Sequence, residues 1–382
     1  MRLALALLAA CSATKSAAPA QPFRPALGWR TDLGSLRVSQ ATALDNGDVL
    51  VGATFNPQTT LPDMVDADKL AADLVVLGAD GAQRTKFRIP GGQLKALAHI
   101  GTRVVAAVLR PGWQIVMLDL ELATGKVTRE TTLLTTKDAP QVAFATQQGG
   151  WVVLLGEFDG KADKSTLIGY AADGTERWRR TFEYQVSRIE DLGDGELAVF
   201  EQRDKGVFGA RTIDATGKDR ESHEVKLIDP DPYMSRGSFE RAVRDGDKLV
   251  WFGEAGGSVH IDGHRHDRTN TPSQPFALIG QTLVELDPGN GFVTGAGRFA
   301  GHAVVVTWIN TSDATKGVYA TAWDAARTRL PIYEYKTDAN EDNESAVTGS
   351  PIHVDEVVTT PTGLVLLGRC GTLHCAQQIT AR

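Results

Sequence analysis

Gln147-Gln-Gly-Gly150-Trp-Val-Val-Leu-Leu-Gly156 is a glycine turn followed by an apolar run. The run is too short for a helix and rich enough in Val and Leu for a strand buried on both faces. The same pattern recurs as Leu44-Asp-Asn-Gly47-Asp-Val-Leu-Val-Gly52, Ala98-His-Ile-Gly101-Thr-Arg-Val-Val-Ala106 and Leu192-Gly-Asp-Gly195-Glu-Leu-Ala-Val199. It returns around Gly246, Gly301 and Gly363, so seven turn glycines stand 45 to 62 residues apart, with a mean of about 53. A fixed period of this size is the signature of a repeat architecture. Each glycine is expected to sit in a strand-to-strand turn, where positive φ carries no Cβ clash.

A second signal follows in most units. Asp80-Gly81, Thr124-Gly125, Asp173-Gly174 and Thr216-Gly217 each precede a polar, alternating segment such as Thr-Glu-Arg-Trp178-Arg-Arg-Thr-Phe182. These read as hairpins into a solvent-facing outer strand. A unit is then four antiparallel strands: a small-residue inner strand, a Val-rich second, an apolar third such as Asp73-Leu-Val-Val-Leu-Gly78, and a charged fourth. Seven such units describe an all-β, seven-bladed β-propeller, whose radial repetition leaves only short sheet edges. The ends predict how the ring closes. Trp29-Arg-Thr-Asp-Leu33 resembles an outer strand and Cys375 to Thr380 an apolar third strand, so the N-terminal strand is expected to complete the last blade. A two-domain β-sandwich is the alternative, but it does not predict matching fragments at the two termini.

Lys and Arg total 40 against 47 Asp and Glu, a net charge of −7, with 42% hydrophobic and 23% charged residues. That balance argues against a nucleic-acid partner or a protein that coats an anionic membrane, since phosphate binding needs a concentrated basic face. Met1-Arg2, the apolar run Leu3 to Ala10 and Cys11-Ser12 read as an export signal, not a membrane span. Leu8-Ala9-Ala10-Cys11 resembles the lipobox of bacterial lipoproteins, which implies removal of residues 1–10, lipidation of Cys11 and residence in the periplasm or outer membrane. Cleavage after Ala20 in Ala18-Pro19-Ala20 is the rival, and would release a soluble periplasmic or secreted protein. Residues 11–27, rich in Ala, Ser and Pro, are expected to be a disordered tether, and 28–382 the propeller. With Cys11 as the anchor, Cys370 and Cys375 remain as an even pair in an oxidising compartment. A disulfide across a last hairpin with a four-residue turn is the expectation.

Leu167-Ile-Gly-Tyr-Ala-Ala-Asp-Gly-Thr-Glu-Arg-Trp178 and Leu118-Asp-Leu-Glu-Leu-Ala-Thr-Gly-Lys126 are similar to the repeat of PQQ-like bacterial propellers. In that repeat an Asp-Gly or Thr-Gly turn precedes a Trp-bearing strand. Gly253 to Gly263, with Gln274-Pro-Phe-Ala-Leu278, resembles repeats of secreted propellers of myxobacteria and their relatives. Quinone-dependent members hold their cofactor with adjacent cysteines, which this chain lacks, so the resemblance implies no quinone. The propeller lipoprotein of the outer-membrane protein assembly machinery, an eight-bladed family, is a second likeness.

Three stretches carry candidate chemistry. His260-Ile-Asp262-Gly-His264-Arg-His266-Asp267 places imidazoles and a carboxylate at alternating positions, a pattern that suits a divalent metal such as zinc or copper. Asp262-Gly263 is also a hairpin-turn pair, which would put the histidines on an exposed loop between the second and third strands of blade five. Asp338 to Glu344 supplies oxygen ligands for calcium or forms a solvated insertion between blades six and seven. Asp229-Pro-Asp231-Pro-Tyr233-Met-Ser-Arg236 is a Pro-rich loop whose Asp231, Tyr233 and Arg236 are candidate ligand contacts. No Gly-x-Ser-x-Gly elbow, His-Glu-x-x-His helix or phosphate loop occurs. A propeller glycosidase would need two facing carboxylates, which sequence cannot pair. The reading is a monomeric binding or scaffold protein with a protein or cell-envelope ligand, no catalytic residues and no cofactor beyond that metal. The alternatives are an outer-membrane assembly lipoprotein and a carbohydrate-active hydrolase or lyase.

Overall fold

The computed structural model describes residues 24–54, 70–137, 140–158, 163–204, 206–228, 237–268, 273–287, 289–310, 315–323, 327–337, 344–349 and 351–381, and every regular element among them is a strand. The chain opens on β1 (Pro25–Gly34). Blade one is β2 (Val38–Ala43), β3 (Val49–Thr54), β4 (Ala71–Leu77) and β5 (Gln83–Pro90); blade two is β6 (Gln93–Ile100), β7 (Arg103–Arg110), β8 (Gln114–Glu121) and β9 (Lys126–Thr135). Blade three is β10 (Gln141–Gln147), β11 (Gly150–Phe158), β12 (Asp163–Tyr170) and β13 (Glu176–Phe182); blade four is β14 (Gln185–Gly193), β15 (Glu196–Asp204), β16 (Val207–Ile213) and β17 (Asp219–Leu227). Blade five is β18 (Gly237–Asp245) and β19 (Lys248–Ala255), then, after the hairpin β20 (Val259–Ile261) and β21 (His264–His266), β22 (Gln274–Ile279) and β23 (Thr282–Glu285). Blade six is β24 (Asn290–Phe299), β25 (His302–Asn310), β26 (Thr315–Ala322), β27 (Arg329–Thr337) and β28 (Glu344–Gly349); blade seven is β29 (His353–Thr360), β30 (Gly363–Cys370) and β31 (Leu373–Ala381).

The molecule is thus a seven-bladed β-propeller, closed as its termini predict. β1 pairs outside β31 and completes blade seven, with Pro25 opposite Ala381 and Gly34 opposite His374. It begins inside the stretch expected to be tether; the signal segment and Cys11 lie outside the described residues.

The core is divided among the blade junctions. Seven apolar clusters occur among the described residues, and each joins two neighbouring blades. At the junction of blades four and five, the buried Trp251 lies edge-on to Phe200 and Phe239, at centroid distances of 5.9 and 6.1 Å. The second strands are buried on both faces, as in β7 and β30, because each lies between two packed neighbours. Fourth strands such as β13 alternate and reach solvent.

Five of the seven repeat glycines have the expected positive φ: Gly47, Gly101, Gly195, Gly246 and Gly301. Gly150 and Gly363 do not. They open their second strands, and a Cβ on either would stand 2.0 Å from a third-strand carbonyl oxygen, that of Tyr170 or Ile379. Close backbone approach is the constraint at these two positions.

Two expectations about the edges need correction. The β30–β31 turn is Gly371-Thr372, two residues and not four, with Cys370 opposite Leu373; the Cys370–Cys375 disulfide is present, at a Cα–Cα distance of 5.8 Å. The His-bearing insertion is no exposed loop of blade five. It is the β20–β21 hairpin, which crosses to blade four and pairs with β17 through Val225↔Ile261, Lys226↔His260 and Leu227↔Val259. Val259 and Ile261 alternate inward and are wholly buried against Phe208, Val225 and Leu227, so burial of two β-branched side chains draws the hairpin there. The acidic insertion ends in a fifth strand of blade six, β28, which pairs with β27; Asp338 to Asn343 lie outside the described residues.

Candidate functional site

The innermost strands β2, β6, β10, β14, β18, β24 and β29 line the axis of the ring. At the second position before each turn into the next strand they carry Thr42, His99, Thr146, Asp191, Arg244, Arg298 and Thr359. Opposite these stand the apolar Leu50, Val104, Trp151, Leu197, Leu249, Ala303 and Leu364. All seven inner positions are hydrophilic and none is fully buried. One rim of the channel therefore carries a ring of hydrogen-bonding side chains mounted on strands, with an apolar layer behind it.

A cavity of about 460 Å3 opens at this rim, lined among others by Arg188, Glu190 and Asp191 of β14, Arg241 and Arg244 of β18, and Arg298 of β24. Glu190 accepts from Arg188 Nε at 2.8 Å and from the Ala242 amide at 3.1 Å, and its carboxylate lies 3.4 Å from Arg241 Nε. Arg241 is 6% exposed and donates to the carbonyl oxygens of Glu240 and Thr294. Burial pushes its guanidinium below the ordinary value, against the pull of Glu190 and Glu356. Arg244 pairs with Glu196 through a terminal nitrogen, while its Nε is buried without a hydrogen-bond partner. Asp191 accepts from the Thr146 hydroxyl and from the Gly193 amide at 2.8 Å. Its carboxylate meets solvent inside the channel, yet protein surrounds it on the channel walls. That crowding raises its pKa above the usual carboxylate value, against the two hydrogen bonds. The site offers guanidinium donors on blades four to six, an acid on blade four and hydroxyls on blades three and seven. Glu190, held by two guanidinia and an amide, is already engaged.

None of the ring residues stood out in the sequence. The available signal was a polar residue between each apolar inner strand and its turn glycine, but its offset from the glycine runs from two residues (His99, Gly101) to five (Thr42, Gly47).

Of the residues that did stand out, Asp231, Tyr233 and Arg236 lie outside the described residues. Asp262 turns toward blade four, where Oδ2 lies 2.8 Å from His223 Nδ1 and Oδ1 accepts from the Glu224 amide. His260 borders a separate cavity of about 370 Å3 with Glu224 and Lys226, His264 is exposed, and His266 is half-buried with Nε2 unpartnered. Among the described residues no three His, Cys, Asp or Glu side chains are grouped to hold a metal ion.

His223, which sequence reading passed over, latches the hairpin. It is 5% exposed, and its Nε2 lies 2.7 Å from Glu221 Oε1 while Nδ1 faces Asp262. Two carboxylate partners require both ring nitrogens to donate, which is the imidazolium. Burial alone would lower its pKa, but the bonds to Glu221 and then Asp262 outweigh it and the value is raised. A raised folded-state value stabilises below the ordinary histidine pKa and is lost as pH rises through the raised one. Amides of β20 are accordingly expected to exchange with solvent faster, after correction for intrinsic rates, at about pH 8.5 than at about pH 5.5. A His223→Gln variant should lose that difference. Equal protection at both pH values in the wild type would refute the latch.

No protein-family model matches this chain, and no curated protein matches its sequence. Solved structures match the fold. A chain of the Saccharomyces cerevisiae assembly of a dbp5 variant with nup159, a gle1 variant, IP6 and ADP is 12% identical, at a TM-score of 0.51 over 94% of this chain and 95% of that one. The β-propeller domain of the Trilobed protease from Pyrococcus furiosus, described as having an open velcro topology, is 12% identical at 0.51 over 91% and 94%. Chaetomium thermophilum Raptor is 12% identical at 0.52 over 94% of this chain and 30% of that one.

Proposed function

We propose that this protein is an exported, lipid-anchored propeller of the bacterial cell envelope. It works by binding, and holds a protein or envelope ligand at the channel mouth. The observation that carries the reading is the hydrophilic ring, present on all seven blades with an apolar partner behind each member. Strand-mounted groups are positioned more rigidly than loop groups. The lipobox at Cys11 supports the address. β1 enters at the ring's rim, since Pro25 pairs with Ala381 at the end of blade seven that carries the Thr360–Gly363 turn. An anchor at Cys11 would keep that rim within about 50 Å of the membrane even with the intervening chain fully extended. The likeness to PQQ-like and secreted myxobacterial repeats agrees with an envelope propeller without a quinone. Neighbours of the same fold that are captured with protein partners, such as the dbp5, nup159 and gle1 assembly, lend support by fold analogy only.

The outer-membrane assembly lipoprotein is the weaker reading, because its family has eight blades and this ring has seven. A hydrolase would find a raised-pKa acid in Asp191, but the neighbouring Glu190 is held by Arg188 and Arg241. The binding reading is tested by closing the mouth. Immobilised wild-type protein should retain an envelope component that Thr359→Trp does not, while Leu373→Ser, at the other rim, retains it. Equal retention by Thr359→Trp would reject the mouth as the site.

A further inference from the structure

We infer that the channel mouth takes an oxyanion, a carboxylate or phosphate group of its ligand, between Arg244 and Arg298 and beside Thr359. This rests on the binding reading above and names the chemistry of that site. Arg244 and Arg298 occupy the same ring position on adjacent blades and line the same cavity, so two like charges share one sector of the channel. Such a pair is unfavourable unless an anion stands between them or solvent screens them. The Arg298 side chain is exposed, and no hydrogen bond or ion pair to it occurs among the described residues. Arg244 spends one terminal nitrogen on Glu196 and leaves Nε buried and unpartnered, a donor whose desolvation is uncompensated. Beneath them Arg241 adds a third positive charge, nearly buried and sharing Glu190 with Arg188. Thr359, next around the ring, accepts from the Arg298 amide at 3.3 Å, and its hydroxyl hydrogen is free to donate.

Planar guanidinium forks match the paired oxygens of carboxylate and phosphate, and a partly enclosed site strengthens each bond. Asp191, on the blade beside Arg244, bounds the sector, and Asp194 and Glu356 also line the cavity. A second anionic group on the ligand would meet these carboxylates, so the site favours one compact oxyanion with neutral or donor groups alongside.

The test titrates the full chain with inorganic phosphate and, separately, with acetate, at constant ionic strength, and follows thermal unfolding and isothermal heat. The concentration giving half the stabilisation should rise at least about tenfold in Arg298→Ala and in Arg244→Ala, the loss expected for one charge-assisted bond. Arg129→Ala, on the outer strand β9, should leave it unchanged and so removes general salt effects. A response to phosphate alone identifies a phosphate-bearing ligand, and one to acetate alone a carboxylate-bearing one. Responses identical in wild type and Arg298→Ala, or absent for both anions, would overturn the inference. If Thr359→Trp still abolishes retention of the envelope component while neither anion binds, the mouth remains the site and only its oxyanion chemistry falls.

Discussion

Replacing Gly81 with valine is expected to cost about 3 kcal/mol and to loosen the ring where blade seven meets blade one. Gly81 sits at φ +82° in the turn between β4 and β5, and a Cβ there would lie 2.6 Å from the Trp29 ring and 2.9 Å from Thr31 Oγ1. Both neighbours belong to β1, the strand that closes the ring. Trp29 Nε1 donates to the Ala79 carbonyl at 2.8 Å and Thr31 to that of Gly81, so the turn is fastened to the strand it covers. The arrangement repeats: a Cβ on Gly125, Gly174 or Gly217, all at positive φ, would meet Phe87, Thr131 or Trp178 on the outer strand of the preceding blade. Gly101→Val is the control, because it shares the positive φ but has nothing within 4 Å of its Cβ. It should cost only the backbone strain, about 1–2 kcal/mol. Denaturant midpoints of the two variants decide the matter. Equal losses would mean that the contact with Trp29 contributes nothing.

Glu201→Ala should cost more, about 3–5 kcal/mol, because it removes the buried carboxylate between two guanidinia and leaves the nearly buried Arg211 with Asp219 as its one counter-charge. The Glu201 side chain has no exposure and lies between Arg203 Nε at 2.7 Å and Arg211 Nε. Arg211 also reaches Asp219 at 2.8 Å and the Tyr184 hydroxyl at 2.9 Å, and Asp219 is held in turn by Arg180 of blade three. Burial would lower the Arg211 guanidinium, but the Glu201 bond and charge overcome it and hold the group above its ordinary range. The network therefore ties the outer strands of blades three and four together while satisfying charges that the core cannot leave bare. Replacing Glu201 and Arg211 together with Met and Leu should recover much of the loss, since an apolar pair of similar volume removes the desolvation cost. A double variant as unstable as Glu201→Ala would show that the network contributes more than mutual compensation.

Blade number, strand order and ring closure were legible in the sequence because each rests on local chemistry: turn glycines, Asp-Gly and Thr-Gly pairs, alternation in the outer strands, and an outer-strand fragment at the N-terminus. What escaped depends on which edges meet. His260 to His266 read as a turn in blade five, and nothing local says that Val259 and Ile261 find their apolar surface on blade four. The pairing of Asp262 escaped because its partner, His223, lies 39 residues away on another strand. The channel ring escaped for a similar reason. Its members align only through strand register, and turns of unequal length, with an irregularity between Asp191 and Gly193 in β14, scatter them against the glycine markers.

Whether the channel mouth binds an oxyanion can be read from a crystal structure of the protein grown with tungstate, an electron-dense analogue of phosphate. An anomalous peak is expected between the guanidinia of Arg244 and Arg298 and within hydrogen-bonding reach of Thr359. A mouth filled only by water, with tungstate bound elsewhere on the surface, would contradict it.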